Sequence, residues 1–108
     1  RFLHLIREFD KYKKVIAAVC AAAIPVGQSG VLKDRNATTY DLSDIYGREY
    51  LANLGANVQD KHIVIDNNII TSTGPATGLD VSFKLLEMLT STENVDEVKK
   101  YMRFTNKE

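Results

Sequence analysis

The chain has 108 residues, and its 14 basic and 14 acidic side chains cancel to a net charge of zero. This length fits one domain at most, and the lack of a basic stripe argues against a nucleic-acid partner. One cysteine cannot form an internal disulfide, and with two scattered histidines it gives no metal-ligand spacing. The longest apolar run, residues 15–26, is too short to span a membrane. We therefore expect a cytoplasmic protein without a metal or cofactor.

The amino-terminal segment predicts an amphipathic helix that packs on a sheet, followed by a buried strand. Apolar residues recur at helical spacing within residues 1–11, at Phe2, Leu5, Ile6 and Phe9. A short polar connection leads to residues 15–19, a continuous apolar run that is typical of a parallel strand covered on both faces.

Cys20 lies where this strand meets the next helix. Residues 21–23 are alanines, which favour a helix, so a tight turn is expected at the cysteine itself. Unpaired amides and the positive end of the helix dipole would favour the thiolate, the nucleophilic form of cysteine. Ala18 and Ala22 flank Cys20 two positions away, where the nucleophile elbow of α/β hydrolases requires small residues. The Ala21 amide would then point at a developing oxyanion. The alternative is an inert packed thiol, because free cysteine is commonly buried.

The middle of the chain alternates helices and strands. The expected elements are a helix over 21–29 ended by Gly30, a strand over 37–40, a helix over about 44–53 capped by Asp41 or Ser43, and an antiparallel hairpin over 63–70. Asn67 and Asn68 form the hairpin turn, since asparagine tolerates positive φ.

A second special loop, residues 71–78, separates the hairpin from a long helix. It turns through Gly74 and Pro75, and Thr77 and Asp80 have the spacing of a capping box. The loop is either a good helix cap or a rim at the carboxyl end of a strand, where open α/β sheets bind ligands. The helix that follows has a wide apolar face that predicts heavy burial, and a last helix and a loose tail over 104–108 complete the chain.

This alternation specifies an α/β protein with three layers, helices on both sides of a sheet. Blocks at consistent spacing also make the chain similar to the ThiJ/PfpI superfamily over about residues 1–100. The blocks are residues 15–22, 30–33, 37–40, 64–72 and 74–77. The resemblance implies a flavodoxin-like, mostly parallel sheet with a terminal antiparallel hairpin, of which this chain holds only the second half. Residues 1–108 would then be the carboxyl-terminal portion of a single domain.

The resemblance also implies a set of site residues. Cys20 matches the elbow cysteine, and Ala21 matches the residue whose amide helps to hold an oxyanion. Tyr40 stands where some relatives have a histidine and can orient a substrate, although it is a poor base near neutral pH. Thr73 stands where many relatives have arginine or glutamine. The remaining pocket residues are Gly74 and Pro75.

The function implied is that of a cysteine-dependent enzyme acting on small reactive carbonyls, similar to glyoxalases and deglycases. An isonitrile hydratase or amidase-like hydrolase is one alternative. A non-enzymatic sensor of oxidative stress that works through Cys20 oxidation is another, and a stable scaffold is a third. A PfpI-type peptidase is disfavoured, because those enzymes follow their cysteine with a histidine and this chain has Ala21.

The resemblance further implies partners. The family's glutamate, which hydrogen-bonds the elbow cysteine, and its second oxyanion amide both lie upstream of Arg1. We therefore expect a companion amino-terminal fragment of the same protein, without which the strand at residues 15–19 would keep an unpaired edge. Homodimers are common in the family, so a homodimer is expected as well.

Overall fold

The computed structural model describes residues 1–40 and 47–104. Helix α1 (Phe2–Lys11) precedes strand β1 (Ile16–Val19), and a 3-10 turn at Cys20–Ala22 opens helix α2 (Ala23–Gln28). The other elements are β2 (Asn36–Ala37), α3 (Arg48–Asn53), β3 (Asn57–Val58), β4 (Ile63–Asp66), β5 (Ile69–Ser72), a 3-10 turn at Pro75–Thr77, α4 (Gly78–Leu89) and α5 (Thr92–Tyr101).

The main sheet contains three strands in the order β1, β5, β4. Strands β1 and β5 run parallel, with Val19 opposite Ser72, whereas β4 and β5 form an antiparallel hairpin. Asn67 takes a φ of 55° in the hairpin turn, as its side chain permits. Strands β2 and β3 pair in parallel as a second small sheet. The predicted α/β fold, with parallel strands and a terminal antiparallel hairpin, is confirmed.

Helices cover the main sheet on two faces. Ile69 belongs to a buried cluster that also includes Ile6 of α1 and Val26 of α2. The next residue, Ile70, points to the opposite face because side chains alternate along a strand, and it is fully buried. Helix α4 contacts β1 and β5, and α5 packs on α4. The sheet therefore lies between α1 to α3 and α4 to α5.

One face of α1 and one edge of β1 have no neighbour in the part of the chain that the structure describes. Only Ile6 is buried in α1, while Phe2, Leu5 and Phe9 are 62%, 52% and 43% exposed. The predicted amphipathic helix that packs on the sheet is confirmed, but Ile6 is the one residue that this helix buries. Among residues 1–40 and 47–104, strand β1 pairs with β5 alone, so its other edge is open there.

The second loop and the helix after it also differ from expectation. The capping box is wrong, because the 3-10 turn at Pro75–Thr77 directs the Thr77 hydroxyl back to the Gly74 carbonyl at 2.6 Å. Helix α4 buries only Val81 and Phe83, and Leu89 at its end is 64% exposed. The predicted heavy burial of this helix is thus found at two residues only, which lie on different sides of the helix because they are two positions apart.

Two predicted boundaries shift for local reasons. The strand expected over 37–40 is paired only at Asn36–Ala37, because the Thr38 amide donates to the Thr71 hydroxyl at 2.9 Å instead of to a neighbouring strand. Phe104 was expected in a loose tail, but its ring packs edge-on against Phe83 with 5.1 Å between centroids. The helix expected from about residue 44 is described from Arg48, and the proposed caps at 41 and 43 lie outside the described residues.

Candidate active site

Cys20 occupies a strained turn at the carboxyl end of β1. Its φ is 64°, in the left-handed region that costs a residue with a side chain roughly 1–2 kcal/mol. Val19 before it is extended and Ala22 after it is already right-handed helical. The predicted elbow geometry at Cys20 is confirmed. A residue with a side chain stays in this region only where surrounding contacts offset the strain. Such residues cluster at functional sites.

Two buried hydroxyl groups hold the backbone around the turn. Thr39 is 1% exposed, and its Oγ1 donates to the Cys20 carbonyl at 3.1 Å. Ser72 is fully buried, and its Oγ donates to the Ala18 carbonyl at 3.3 Å. These bonds join β1 to the segment after β2 and to the end of β5, so the conformation at Cys20 depends on residues far from it in sequence.

The alanines around Cys20 fit the tight turn. Ala18 is 4% exposed and packs in the core cluster. Ala21 is exposed in the 3-10 turn that begins at Cys20. Its position beside Cys20 is as predicted, and its role as an oxyanion donor stays a prediction. Cys20 itself is a free thiol that is partly exposed, as a nucleophile must be.

The second loop lies at the same edge of the sheet as Cys20. Because Ser72 is paired with Val19, Thr73 and the residues after it leave β5 beside the elbow. Tyr40, one residue beyond Thr39, lies next to this loop: a Cβ built on Gly74 would be 3.9 Å from Tyr40 Cδ1. The structure thus brings Tyr40 and Gly74 together.

The other two predicted loop residues point in different directions. Thr73 is half-buried and turns towards His62, with 3.5 Å between Thr73 Oγ1 and His62 Nδ1. Pro75 is exposed at the start of the 3-10 turn. The pocket roles of both residues stay predictions.

Sequence reasoning missed the two residues that tie the elbow. Thr39 lies inside the strand predicted over 37–40, and Ser72 lies in the loop predicted over 71–78, so neither was expected to bind the turn. A usable signal was present, because both hydroxyls lie near the carboxyl ends of predicted strands, where open α/β sheets place their sites. Only the fold shows which carbonyl each one binds.

Within residues 1–40 and 47–104, no three His, Cys, Asp or Glu side chains are grouped so that they could hold a metal ion. Over the same ranges no helix has the length and apolar character needed to cross a bilayer.

The elbow, the loop beside it and the mixed sheet can be compared with known proteins. The model of the DJ-1/PfpI family matches residues 1–88. The chain belongs to this family. The resemblance to ThiJ/PfpI proteins is thereby confirmed. Protein DJ-1alpha of Drosophila melanogaster is 38% identical over 93 residues, which are 86% of this chain and 41% of that protein. Protein dj-1beta of the same species is 35% identical over 96 residues, or 89% and 49%.

The crystal structure of Drosophila melanogaster DJ-1beta superposes with a TM-score of 0.82 at 30% identity, covering 95% of this chain and 53% of that one. The chain therefore spans about half the length of the relatives it matches. Two further relatives carry names that state an activity. The glutathione-independent glyoxalase DJ-1 of Schizosaccharomyces pombe is 31% identical over 89% of this chain and 48% of that protein. An isonitrile hydratase of Pseudomonas putida is 24% identical over 94% and 43%.

Proposed function

We propose that this chain supplies the nucleophile of a cysteine-dependent enzyme that acts on small reactive carbonyls. One observation carries the proposal: Cys20 is the single cysteine and stands in a left-handed turn that Thr39 holds by a hydrogen bond. A cysteine that only fills space in the core does not need a strained backbone. In a nucleophile elbow, by contrast, the strained turn exposes the reactive side chain at the end of a strand. The glyoxalase name of a relative supports the substrate class.

The first chemical step follows from a thiolate beside an electrophilic carbon. A bond forms between Cys20 Sγ and the carbonyl carbon, and the electron pair of the broken π bond moves to oxygen. The oxygen then takes a proton and a hemithioacetal results, so atoms and charge balance. Amide donors such as that of Ala21 would lower the barrier by binding the developing oxyanion.

We assign the proton donor and the second oxyanion amide to a companion segment of the same protein, amino-terminal to this chain. The support is the unpaired edge of β1 together with the exposed apolar side of α1, which line a groove of about 240 Å³. Exposed strand edges beside apolar grooves are aggregation hazards unless something covers them. The relatives are about twice as long as this chain, which leaves a segment of suitable size to cover both features.

The companion proposal is testable by hydrogen exchange. The Ile16 amide already donates to the Asn68 carbonyl at 2.9 Å, so the next amide, that of Ala17, points to the open edge. In the full-length protein we expect the Ala17 amide to exchange as slowly as those of Ile69 and Ile70, since a new partner strand would cover the open edge. If this chain alone forms a stable dimer in sedimentation experiments and its β1 amides are protected there, the occupant is a second copy.

We expect the complete protein to be a homodimer. We also place it in the cytoplasm, because that reducing compartment keeps a thiol such as Cys20 free.

The catalytic proposal is tested by turnover of methylglyoxal by the full-length protein. We expect wild type to consume the aldehyde and the Cys20→Ser variant to lose activity by at least about a hundredfold, because a hydroxyl is far less ionised than a thiol. The matched control is Ser82→Cys in the Cys20→Ser background, which places one thiol on the exposed side of α4. This control should stay inactive.

Other outcomes favour the other activities. Activity in the Ser82→Cys control would show that any thiol suffices and would refute a role for the elbow. Hydration of an isonitrile with no turnover of methylglyoxal would favour the reaction named for the Pseudomonas putida relative. A peroxide-dependent gain of mass at Cys20, with neither turnover, would favour a redox sensor.

A further inference from the structure

Residues 36–39 form a strap that crosses the main sheet and ends beside the elbow. One hydrogen bond ties the strap to each part of the sheet in turn, first to β4, then to β5, then to the carboxyl end of β1. The bonds join the Asn36 amide to Asp66 Oδ2 at 2.8 Å, the Thr38 amide to Thr71 Oγ1 at 2.9 Å, and Thr39 Oγ1 to the Cys20 carbonyl at 3.1 Å. The order of these bonds matches the order of the strands, so the strap runs from the hairpin towards Cys20.

The strap lies on the face of the sheet that α1 and α2 cover. Side chains alternate along β5, so Thr71 points to the same face as Ile69. Ile69 belongs to the buried cluster that also contains Ala37 of the strap. Ala37 and Thr38 are fully buried, so the middle of the strap is enclosed between the sheet and the helices.

The bonds that hold the strap differ in their access to water. The bond to Asp66 is exposed, so water can take the place of the carboxylate. The bond between the Thr38 amide and the Thr71 hydroxyl is buried, since these residues are 0% and 1% exposed. A buried backbone amide that loses its acceptor stays unpaired at a high cost in free energy. Thr71 is therefore the residue that fixes the strap on β5.

The position of the strap sets the position of Thr39. Thr39 follows Thr38 directly in the chain, so a displacement of the Thr38 amide also moves Thr39 Oγ1. The bond from this oxygen to the Cys20 carbonyl is 3.1 Å long, and a separation of about 3.6 Å no longer counts as a hydrogen bond. A movement of about half an ångström at Thr39 therefore suffices to release the carbonyl of the strained turn.

We propose that Thr71 is a positioning residue for Cys20, on which it acts through the strap and Thr39. Its effect on catalysis rests on the proposed function, because the position of Cys20 matters for turnover only if the thiol is the nucleophile. The placement of the turn itself can be measured without a substrate. The competing explanation is that the Thr71 hydroxyl only stabilises the fold and leaves the elbow unaffected.

The test compares three variants of the full-length protein at a temperature where each is folded. Thr71→Val removes the acceptor of the Thr38 amide, whereas Thr71→Ser keeps the hydroxyl. Thr38→Val is the matched control, because the buried Thr38 hydroxyl has no hydrogen-bond partner among the described residues. The measurements are the amide resonances of Cys20 and Ala21, the rate of Cys20 alkylation by iodoacetamide, and kcat and KM for methylglyoxal.

We expect Thr71→Val to move both resonances and to slow alkylation severalfold, because the thiol leaves the start of α2, whose amides favour the thiolate. The same variant should lower kcat about tenfold with KM nearly unchanged, since a small misplacement of the nucleophile affects the chemical step more than substrate binding. Thr71→Ser should restore values close to those of wild type, and Thr38→Val should match wild type.

Unchanged resonances and alkylation in a folded but less stable Thr71→Val protein would overturn the proposal, since a purely structural hydroxyl gives that result. Equal changes in Thr38→Val would overturn it as well, because they would reflect packing around the strap and not the bond. Where Thr71→Val does not fold, Thr71→Ala gives the same comparison without a methyl group in place of the hydroxyl. Absence of methylglyoxal turnover in wild type would refute the catalytic proposal alone, and the resonances and alkylation rates would still decide whether Thr71 positions Cys20.

Discussion

Replacing Thr39 by valine tests whether a hydrogen bond holds the elbow. Valine has nearly the shape of threonine, so packing is kept while the bond from Thr39 Oγ1 to the Cys20 carbonyl at 3.1 Å is lost. Thr39 is 1% exposed, but the bond is only partly buried because Cys20 is partly exposed. A typical intramolecular hydrogen bond contributes about 0.5–1.5 kcal/mol to stability. We expect the free energy of unfolding to fall by about 1 kcal/mol, within this range.

The assay is urea denaturation of the full-length protein, together with the amide resonances of Cys20 and Ala21 as local probes. Thr39→Ser is the matched control, since it keeps the hydroxyl and loses one methyl group, at a cost of about 1 kcal/mol. The serine variant should leave the two resonances in place, whereas the valine variant should move them. A Thr39→Val protein as stable as wild type, with unmoved resonances, would refute the idea that this bond holds the turn.

Two further predictions use matched substitutions and the same denaturation assay. Among the described residues the buried Thr38 hydroxyl has no hydrogen-bond partner, whereas the Thr71 hydroxyl accepts a hydrogen bond from the Thr38 amide. Thr38→Val should therefore keep or raise the free energy of unfolding. Thr71→Val should lower it by about 1–3 kcal/mol, because the Thr38 amide loses its acceptor. Equal losses in the two variants would contradict this assignment. At Cys20, whose φ is 64°, Cys20→Gly should be more stable than Cys20→Ala by about 1 kcal/mol, because glycine adopts left-handed backbone without strain. An alanine variant that is the more stable of the two would show that the turn relaxes.

The sequence by itself determined the features that depend on neighbouring residues. The apolar run at 15–19, the alanines after Cys20 and the paired asparagines at 67 and 68 predict a strand, an elbow and a hairpin, and all three are present. Each is set by backbone preferences within a few positions, so a local pattern is enough to identify it. The open edge of β1 was predicted from the family resemblance and not from a local pattern in the sequence.

The tertiary structure decided how distant residues meet. Thr39 reaches Cys20 across 19 positions, and a strand pattern at residues 37–40 carries no sign of that bond. A small polar cleft brings Arg48 of α3 together with Asp60 and Thr73, and no local pattern in the sequence indicates that these residues meet. Burial also depended on the tertiary structure: α1 and α4 have wide apolar faces, but α1 buries only Ile6 and α4 only Val81 and Phe83. The turn at Cys20 is thus predicted by the residues next to it in sequence. Hydrogen bonds from distant segments of the chain hold it in place.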